Sequence, residues 1–500
     1  MSPTSPRTSK ASSRSRTLHL FRRDLRLDDH AGLVEASRLG DVVPALVCDA
    51  SGDRSLARSP RRAAYYAGAV SALAAALRAR GTELVCRRGS LVPTVLALAR
   101  EAGVANVTWT ARYDAAAMVA DRDLSDELAR AGFGTAIVHD APAVAPGVTA
   151  ALRADADGRG YRAFAPYALA WRAAPRAVAE ARVAFAAHGL TGDPLPQPSA
   201  AALGEAASDR VAEDAALERE SADPARALAA YDRFLAGPVL AYPSAVAIPA
   251  GAPTARVSAA LSFGVLSART LLARLDARMR DPFLLAEEKV ALAAFARTLA
   301  RRDFFLQLAW YYDESPDAAL QTRMRDFPFA RDHAALEAWR CGETGYPLVD
   351  AGIRQMRATG WMHPRVRLVA ASFCCFDLGV DWRIGRDAWD AHLVEDDGAL
   401  ASGNWQWVAG VGADLAQVPR IYNPRKQLRA IDPRGNYVRR YVRELAHASD
   451  ADLFGGSRTL PQLALELYAD ARYPAPVVEH DRVARAFLAR YADFTRVATP

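Results

Sequence analysis

The sequence predicts an α/β domain built on a doubly wound parallel sheet, followed by an all-α domain. Three observations carry that prediction. From Thr17 to about Ala145, short apolar runs alternate with amphipathic stretches of helical period, which is how βαβ units read in sequence. Beyond Asp223 the short apolar runs cease and only helical periodicity remains. Finally, 500 residues exceed what one hydrophobic core organises, so the length asks for more than one domain.

The predicted strands are Thr17–Phe21, Val42–Val47, Glu83–Arg87, Asn106–Thr110 and Thr135–His139. Between the second and third lies Arg61–Arg78, where Ala63, Tyr66, Ala67, Val70, Leu73, Ala74 and Leu77 recur at helical spacing. The turn after the first strand reads Phe21-Arg-Arg-Asp-Leu-Arg-Leu27. It lacks G-x-G-x-x-G, so no dinucleotide pyrophosphate is expected there. Residues 146–222 turn Ala-, Pro- and Gly-rich and read as a connection between domains, with some helix. From residue 223 to 500 helices are predicted over Ala225–Leu235, Ala268–Met279, Leu284–Tyr311, His333–Trp339, Tyr346–Thr359 and Val366–Leu378, with Pro and Gly marking the turns. Residues 1–16, mostly Ser, Thr, Pro and Arg with no apolar stretch, read as a disordered tail rather than a secretory signal.

A hydrophobic fraction of 51% with 24% charged residues excludes a mainly disordered chain. No apolar run reaches the roughly 18 residues of a membrane span. The net charge of +6 permits a polyanionic partner without demanding one. Cys48, Cys86, Cys341, Cys374 and Cys375 are odd in number and lack metal-site spacing. They read as reduced thiols of a cytoplasmic protein.

Two stretches in the helical half could carry chemistry. Thr254-Ala-Arg-Val-Ser258 puts hydroxyls and an arginine at a helix start, a place suited to phosphate, although such hydroxyls also serve as plain N-caps. The second runs from Gly342 to Arg354 and Thr359 to Arg367, then through Asp381-Trp382 and Gly403-Asn-Trp-Gln-Trp407. Its interleaved Trp, Arg and acids fit either a site or an aromatic core with ion pairs. His363 alone reads as a hydrogen-bonded core histidine. No histidine cluster, G-x-S-x-G elbow or Walker motif appears.

Taken in order, these motifs resemble the DNA photolyase/cryptochrome flavoproteins from about Thr17 to Leu445. The resemblance is carried by Phe21–Leu27, Trp109-x-x-Arg-Tyr113, Tyr161-Arg-x-Phe-x-Pro166, Thr254–Ser258, Gly342–Arg367 and Trp405-Gln-Trp-Val-Ala-Gly410. It continues through Arg420-Ile-Tyr-Asn-Pro424 and Asp432-Pro-x-Gly-x-Tyr-Val-Arg-Arg440. It implies an antenna-type domain at residues 17–145 and an FAD-binding domain at 223–500. It also implies that Thr254, Arg256 and Ser258 hold the FAD pyrophosphate, with Tyr242 on the FAD side. Arg302 and Arg367 would border the flavin, Glu395 would replace the family's aspartate as partner of Arg367, and Asp397 would accept from the ring edge. Ala255, Val257, Phe295 and Asp396 complete the implied cofactor set. Trp405 and Trp382 match the electron-transfer tryptophans, whose third position is Phe329. Thr298, Arg301, Pro364 and Trp407 fall at the implied DNA-binding face.

The departures from the family pattern are specific. Thr298 and Arg301 stand where photolyases of the cyclobutane-dimer type carry a Glu and a Trp, Pro364 replaces an asparagine, and Ala401 the asparagine facing flavin N5. Val246 replaces a DNA-contacting arginine. Pro364 and Leu368 exclude the photolyase subclass that needs two histidines there. The implied activity is light-driven repair of pyrimidine dimers in DNA, with FAD and either a folate or deazaflavin antenna chromophore or none, in a monomer without membrane contact. The alternatives are a cryptochrome-like photoreceptor that binds FAD, favoured by the altered pocket, and a flavin-binding relative without photochemistry.

Overall fold

The computed structural model describes residues 15–49, 54–153, 159–176, 178–179, 182–197, 221–242, 254–312, 317–413, 419–454 and 473–497. Val246 lies outside them, as does most of the amino-terminal tail. Five parallel strands, β1 (Arg16–Phe21), β2 (Asp41–Cys48), β3 (Val85–Arg88), β4 (Asn106–Thr110) and β5 (Gly134–Val138), form one sheet in the order β3-β2-β1-β4-β5. Each lies within two residues of its predicted start. Alternation along the strands sends Leu18, Leu20, Val43, Ala45, Val107 and Trp109 to one face, against Leu98, Leu124 and Leu128. Phe21, Val42 and Leu46 face the other side, against Tyr66, Val70 and Leu73 of the helix Pro60–Arg78. That helix starts at Ser59, whose hydroxyl accepts from Arg62 N at 3.4 Å, with Pro60 at the position where a missing N–H costs nothing.

Strand order reverses between β1 and β4, and in an open α/β sheet such a point opens a crevice at the carboxyl ends of the strands. The helical half closes onto that edge. Leu25 N donates to Phe263 O at 3.1 Å. Gly264, at φ +64, comes so close that a Cβ there would lie 2.3 Å from Arg23 O, so only glycine fits. Phe21 and Leu25 share one apolar cluster with Phe263, Phe295 and Leu299, and the two halves are therefore packed through a common core. The connection includes helices Pro146–Ala150 and Phe164–Ala173. It then runs along β2, where Ala184 and Ala186 exchange backbone hydrogen bonds with Val42 at 2.8 and 2.9 Å.

The second half is helical among the described residues, and its longest helix is Ala286–Tyr311. The helix expected over Val366–Leu378 instead occupies Pro364–Ser372 and opens into a π-helical turn at Phe373–Asp377, all of it buried. A carboxy-terminal helix, His480–Val497, packs its Phe487 and Tyr491 into the second core. All five cysteines are free thiols. Among the described residues no helix is long and apolar enough to cross a membrane.

Candidate active site

The acidic run Glu395-Asp396-Asp397 precedes the helix Gly398–Ala409, and its three carboxylates part company. Glu395 takes Arg367 Nη1 at 2.5 Å, while Arg367 Nε donates to Met362 O at 2.8 Å. Asp397 caps its own helix by accepting from Leu400 N at 3.2 Å, and lies 3.9 Å from Arg302. Burial pushes the Asp397 carboxyl up, with Arg302 opposing. Asp396 turns to the first half, where it binds Arg23 and accepts from Ser55 Oγ at 2.9 Å. Burial would raise Asp396, but Arg23, Arg112 and Arg62 outweigh it and hold the group at about 2. Resemblance assigned Asp396 to the cofactor; in the structure its side chain ties the two halves together.

Arg302 donates to Ala141 O at 2.8 Å and reaches Leu261 O at 3.4 Å. It thus joins the end of the sheet to the short helix Ser258–Ser262. That helix has five residues, so its dipole is small. Side chains matter more. Thr254 Oγ1 is buried and finds no hydrogen-bond partner among the described residues. Arg256 adopts φ +47 and lays its guanidinium 3.6 Å from the Trp361 ring centre. Ala255 is buried, whereas Val257 and Ser258 are half-buried. Tyr242 and Phe295 meet edge to face at 5.4 Å. The Tyr242 hydroxyl is pushed up by burial and engages Thr298.

His363 caps the helix Pro364–Ser372, its Nδ1 accepting from Arg365 N at 3.3 Å. Burial, then Arg256, Arg367 and Arg365, lower its pKa to about 3, so the ring is neutral. With Nδ1 accepting, the proton sits on Nε2, and that donor has no partner among the described residues. His363 Nε2, a buried donor beside three arginines, and Thr254 Oγ1, a buried hydroxyl two residues from Arg256, are each suited to an anion's acceptor oxygen.

Trp405 and Trp382 are both buried, on adjoining helices that meet at Gly385, where a Cβ would lie 2.4 Å from the Trp405 indole. Trp389 lies edge to face with Trp405 at 4.6 Å and stacks on Trp339 at 6.2 Å. Phe329 packs on Phe327 at 4.7 Å and faces Phe487 of the last helix at 6.3 Å. On the implied DNA side, Thr298 and Pro364 are exposed and Trp407 is half-buried. Arg301 and Arg297 both lie over the Phe164 ring, at 4.2 and 4.7 Å. A cavity of about 410 Å³ between the halves is lined by Arg54, Arg112, Tyr113, Phe305, Tyr312 and Ala401, among others.

The sequence reading missed the seam residues Arg23, Ser55, Arg62 and Ser262. It also missed the pairing of Tyr113 with His139, although Tyr113 stood in a quoted motif.

Residues 17–188 match the family model "DNA photolyase" and residues 295–493 match "FAD binding domain of DNA photolyase". A deoxyribodipyrimidine photo-lyase of Streptomyces griseus is 35% identical over 92% of this chain and 95% of its own. One from Halobacterium salinarum is 32% identical over 93% and 96%. The crystal structure of a bacterial class III photolyase from Agrobacterium tumefaciens superposes with a TM-score of 0.80 at 28% identity, covering 98% of this chain and all of that one.

Proposed function

This chain belongs to the DNA photolyase family, and from that premise we propose how its residues serve FAD-dependent, light-driven repair of pyrimidine dimers in DNA. One observation carries the residue assignment: among the described residues the buried donor His363 Nε2 has no partner, yet it sits in the field of Arg256 and of Arg367, which Glu395 holds, and Thr254 Oγ1, two residues from Arg256, is likewise buried and unpartnered. Thr254, Arg256 and Ser258 would hold the pyrophosphate, with Tyr242 and Phe295 packed alongside. When bound, FAD supplies one-electron chemistry driven by absorbed light. Arg367 keeps a fixed positive charge where reduction adds negative charge, and Glu395 holds that guanidinium in place. Asp397 supplies an acceptor near Arg302. Ala401 offers nothing polar to the flavin. Residues 17–145 act as the antenna-type domain, 146–222 as connector and 223–500 as the FAD-binding domain. A folate or deazaflavin antenna chromophore, where one is bound, would be held by residues 17–145.

DNA binding rests on the arginine rim. Arg297 and Arg301, braced on Phe164, meet phosphates and give an affinity that falls with salt. Extruding a dimer from the duplex costs a few kcal/mol that pocket contacts offset. Thr298 and Pro364 cannot grip thymine edges as a glutamate and an asparagine would, and each unmatched polar group costs about 1–3 kcal/mol. Damaged and undamaged single strands should therefore bind with similar, salt-sensitive affinity, and repair should be slow. The test is to purify the protein, record its visible spectrum, and illuminate the chemically reduced form with a thymine-dimer oligonucleotide. FAD retention with slow repair supports the reading. Flavin without DNA binding or repair turns it to the photoreceptor alternative, and protein that stays colourless after reconstitution with FAD defeats it.

A further inference from the structure

We infer that Tyr113, hydrogen-bonded to His139, is a proton-coupled electron donor to the photoexcited flavin, with Trp310 as the outer member of the same unit. The inference rests on the flavin lying beside Arg302 and Asp397, as proposed above. Tyr113 follows β4 and His139 follows β5, and the parallel register Thr110↔Val138 brings both to the carboxyl edge of the sheet. Tyr113 Oη lies 2.7 Å from His139 Nδ1. Tyr113 is buried and lines two spaces: a cleft of about 50 Å³ shared with Arg302 and Asp397, and the larger cavity that reaches Ala401. Trp310 stands edge-on to His139 at 4.5 Å and 5.9 Å from Tyr113, and it is half-buried.

The chemistry follows from burial. A phenol oxidised in an apolar wall cannot keep its proton, because an unpaired buried cation is costly. The proton therefore needs an acceptor within hydrogen-bond reach, and 2.7 Å provides it. His139 is lowered by burial, so its ring is neutral and Nδ1 can accept. Tyr113 gives one electron to the flavin and its O–H proton to His139 Nδ1. The flavin is reduced by one electron, Tyr113 becomes a neutral radical and His139 an imidazolium; no covalent bond to the cofactor forms. Return of the electron draws the proton back. This route would matter because Phe329 cannot carry a hole outward from Trp382.

The test uses the FAD-loaded full chain carrying Trp382→Phe, frozen during blue illumination and read by electron paramagnetic resonance. A neutral tyrosyl radical is expected, formed more slowly in deuterated buffer. It should be lost in Tyr113→Phe, and also in His139→Phe, which keeps a ring against Trp310 but has no proton acceptor. A radical that survives Tyr113→Phe, or none in the Trp382→Phe parent, overturns the inference, since a merely structural hydrogen bond yields no such signal. Flavin absorbance recorded on each variant separates the two failures: a loaded but silent protein refutes the donor alone, and a colourless parent refutes the cofactor assignment and the donor with it.

Discussion

Glu395, Asp396 and Asp397 are neighbours in sequence with unrelated tasks, because in a non-helical segment successive side chains leave in different directions. Glu395 holds Arg367 and Asp397 lies near Arg302, while Asp396 holds Arg23 and Ser55. The consequence is testable one residue at a time. Arg367→Ala leaves Glu395 without its cation and the flavin without its fixed charge. Retention of FAD should fall by about 1–3 kcal/mol, roughly 5- to 150-fold, measured as a dissociation constant by flavin fluorescence. Glu395→Gln keeps a hydrogen-bond acceptor for Arg367 and should cost less. Equal losses for the two variants would mean that the guanidinium acts only through its carboxylate. The pairing of Glu395 with Arg367 followed from the family pattern; the diversion of Asp396 did not, because its partners lie more than 300 positions away and nothing local marks them.

At the level of elements, the strands were readable because a sheet covered on both faces writes nearly continuous apolar runs. What the runs cannot encode is which strands lie side by side. The neighbourhood of Tyr113 and His139 depends on β4 and β5 being adjacent, and so it stayed hidden. The helix His480–Val497 was likewise not singled out, yet its Phe487 faces Phe329, the proposed third position of the tryptophan chain. A hole on Trp382 should stall there, and Trp389, close to Trp405, competes for it. Phe329→Trp is expected to speed flavin photoreduction under blue light with an external reductant, because an indole at that half-buried position is oxidisable where a phenyl ring is not. An unchanged rate would show that holes leave by another path. The same helix begins with His480, whose Nδ1 lies 2.5 Å from Asp377. Burial raises Asp377 to about 6; burial would lower His480, but Asp377, with Asp481 and Glu479, outweighs it and raises the imidazole. Both groups then bind protons more tightly when docked than when free, so docking weakens as pH rises. As pH rises through about 6 and on through the raised pKa of His480, amide exchange in residues 480–497 should accelerate beyond its intrinsic rate, and His480→Gln should remove the upper part of that dependence.

Across the whole molecule, the seam between the halves is both apolar and ionic. Asp140, just after β5, accepts from Arg26 at 2.6 Å and from Arg269 at 2.8 Å, and Arg269 belongs to the helix Ala268–Met279 of the other half. Arg269 also binds Asp29 at 3.0 Å, and Arg62, wholly buried, reaches Asp390 at 2.8 Å. Burial alone would raise the carboxyls of Asp29 and Asp140; the facing arginines, with His30 beside Asp140, reverse it and leave both lowered. A carboxyl lowered on folding adds stability at pH values above its unfolded pKa and loses it as pH falls through the folded one. The seam should therefore hold at neutral pH and fail in acid, below about pH 4. With a shared core and this network, the two halves should unfold in urea as one transition at pH 7. Asp140→Asn leaves two buried guanidiniums facing a neutral amide, a loss of about 3–5 kcal/mol. The urea midpoint should drop accordingly, and much of the acid sensitivity should disappear, because the titrating group is gone. Two separate transitions in the parent, or an Asp140→Asn midpoint equal to the parent's, would mean that the apolar contact of Phe21 and Leu25 with Phe263 holds the halves together without help from the charges.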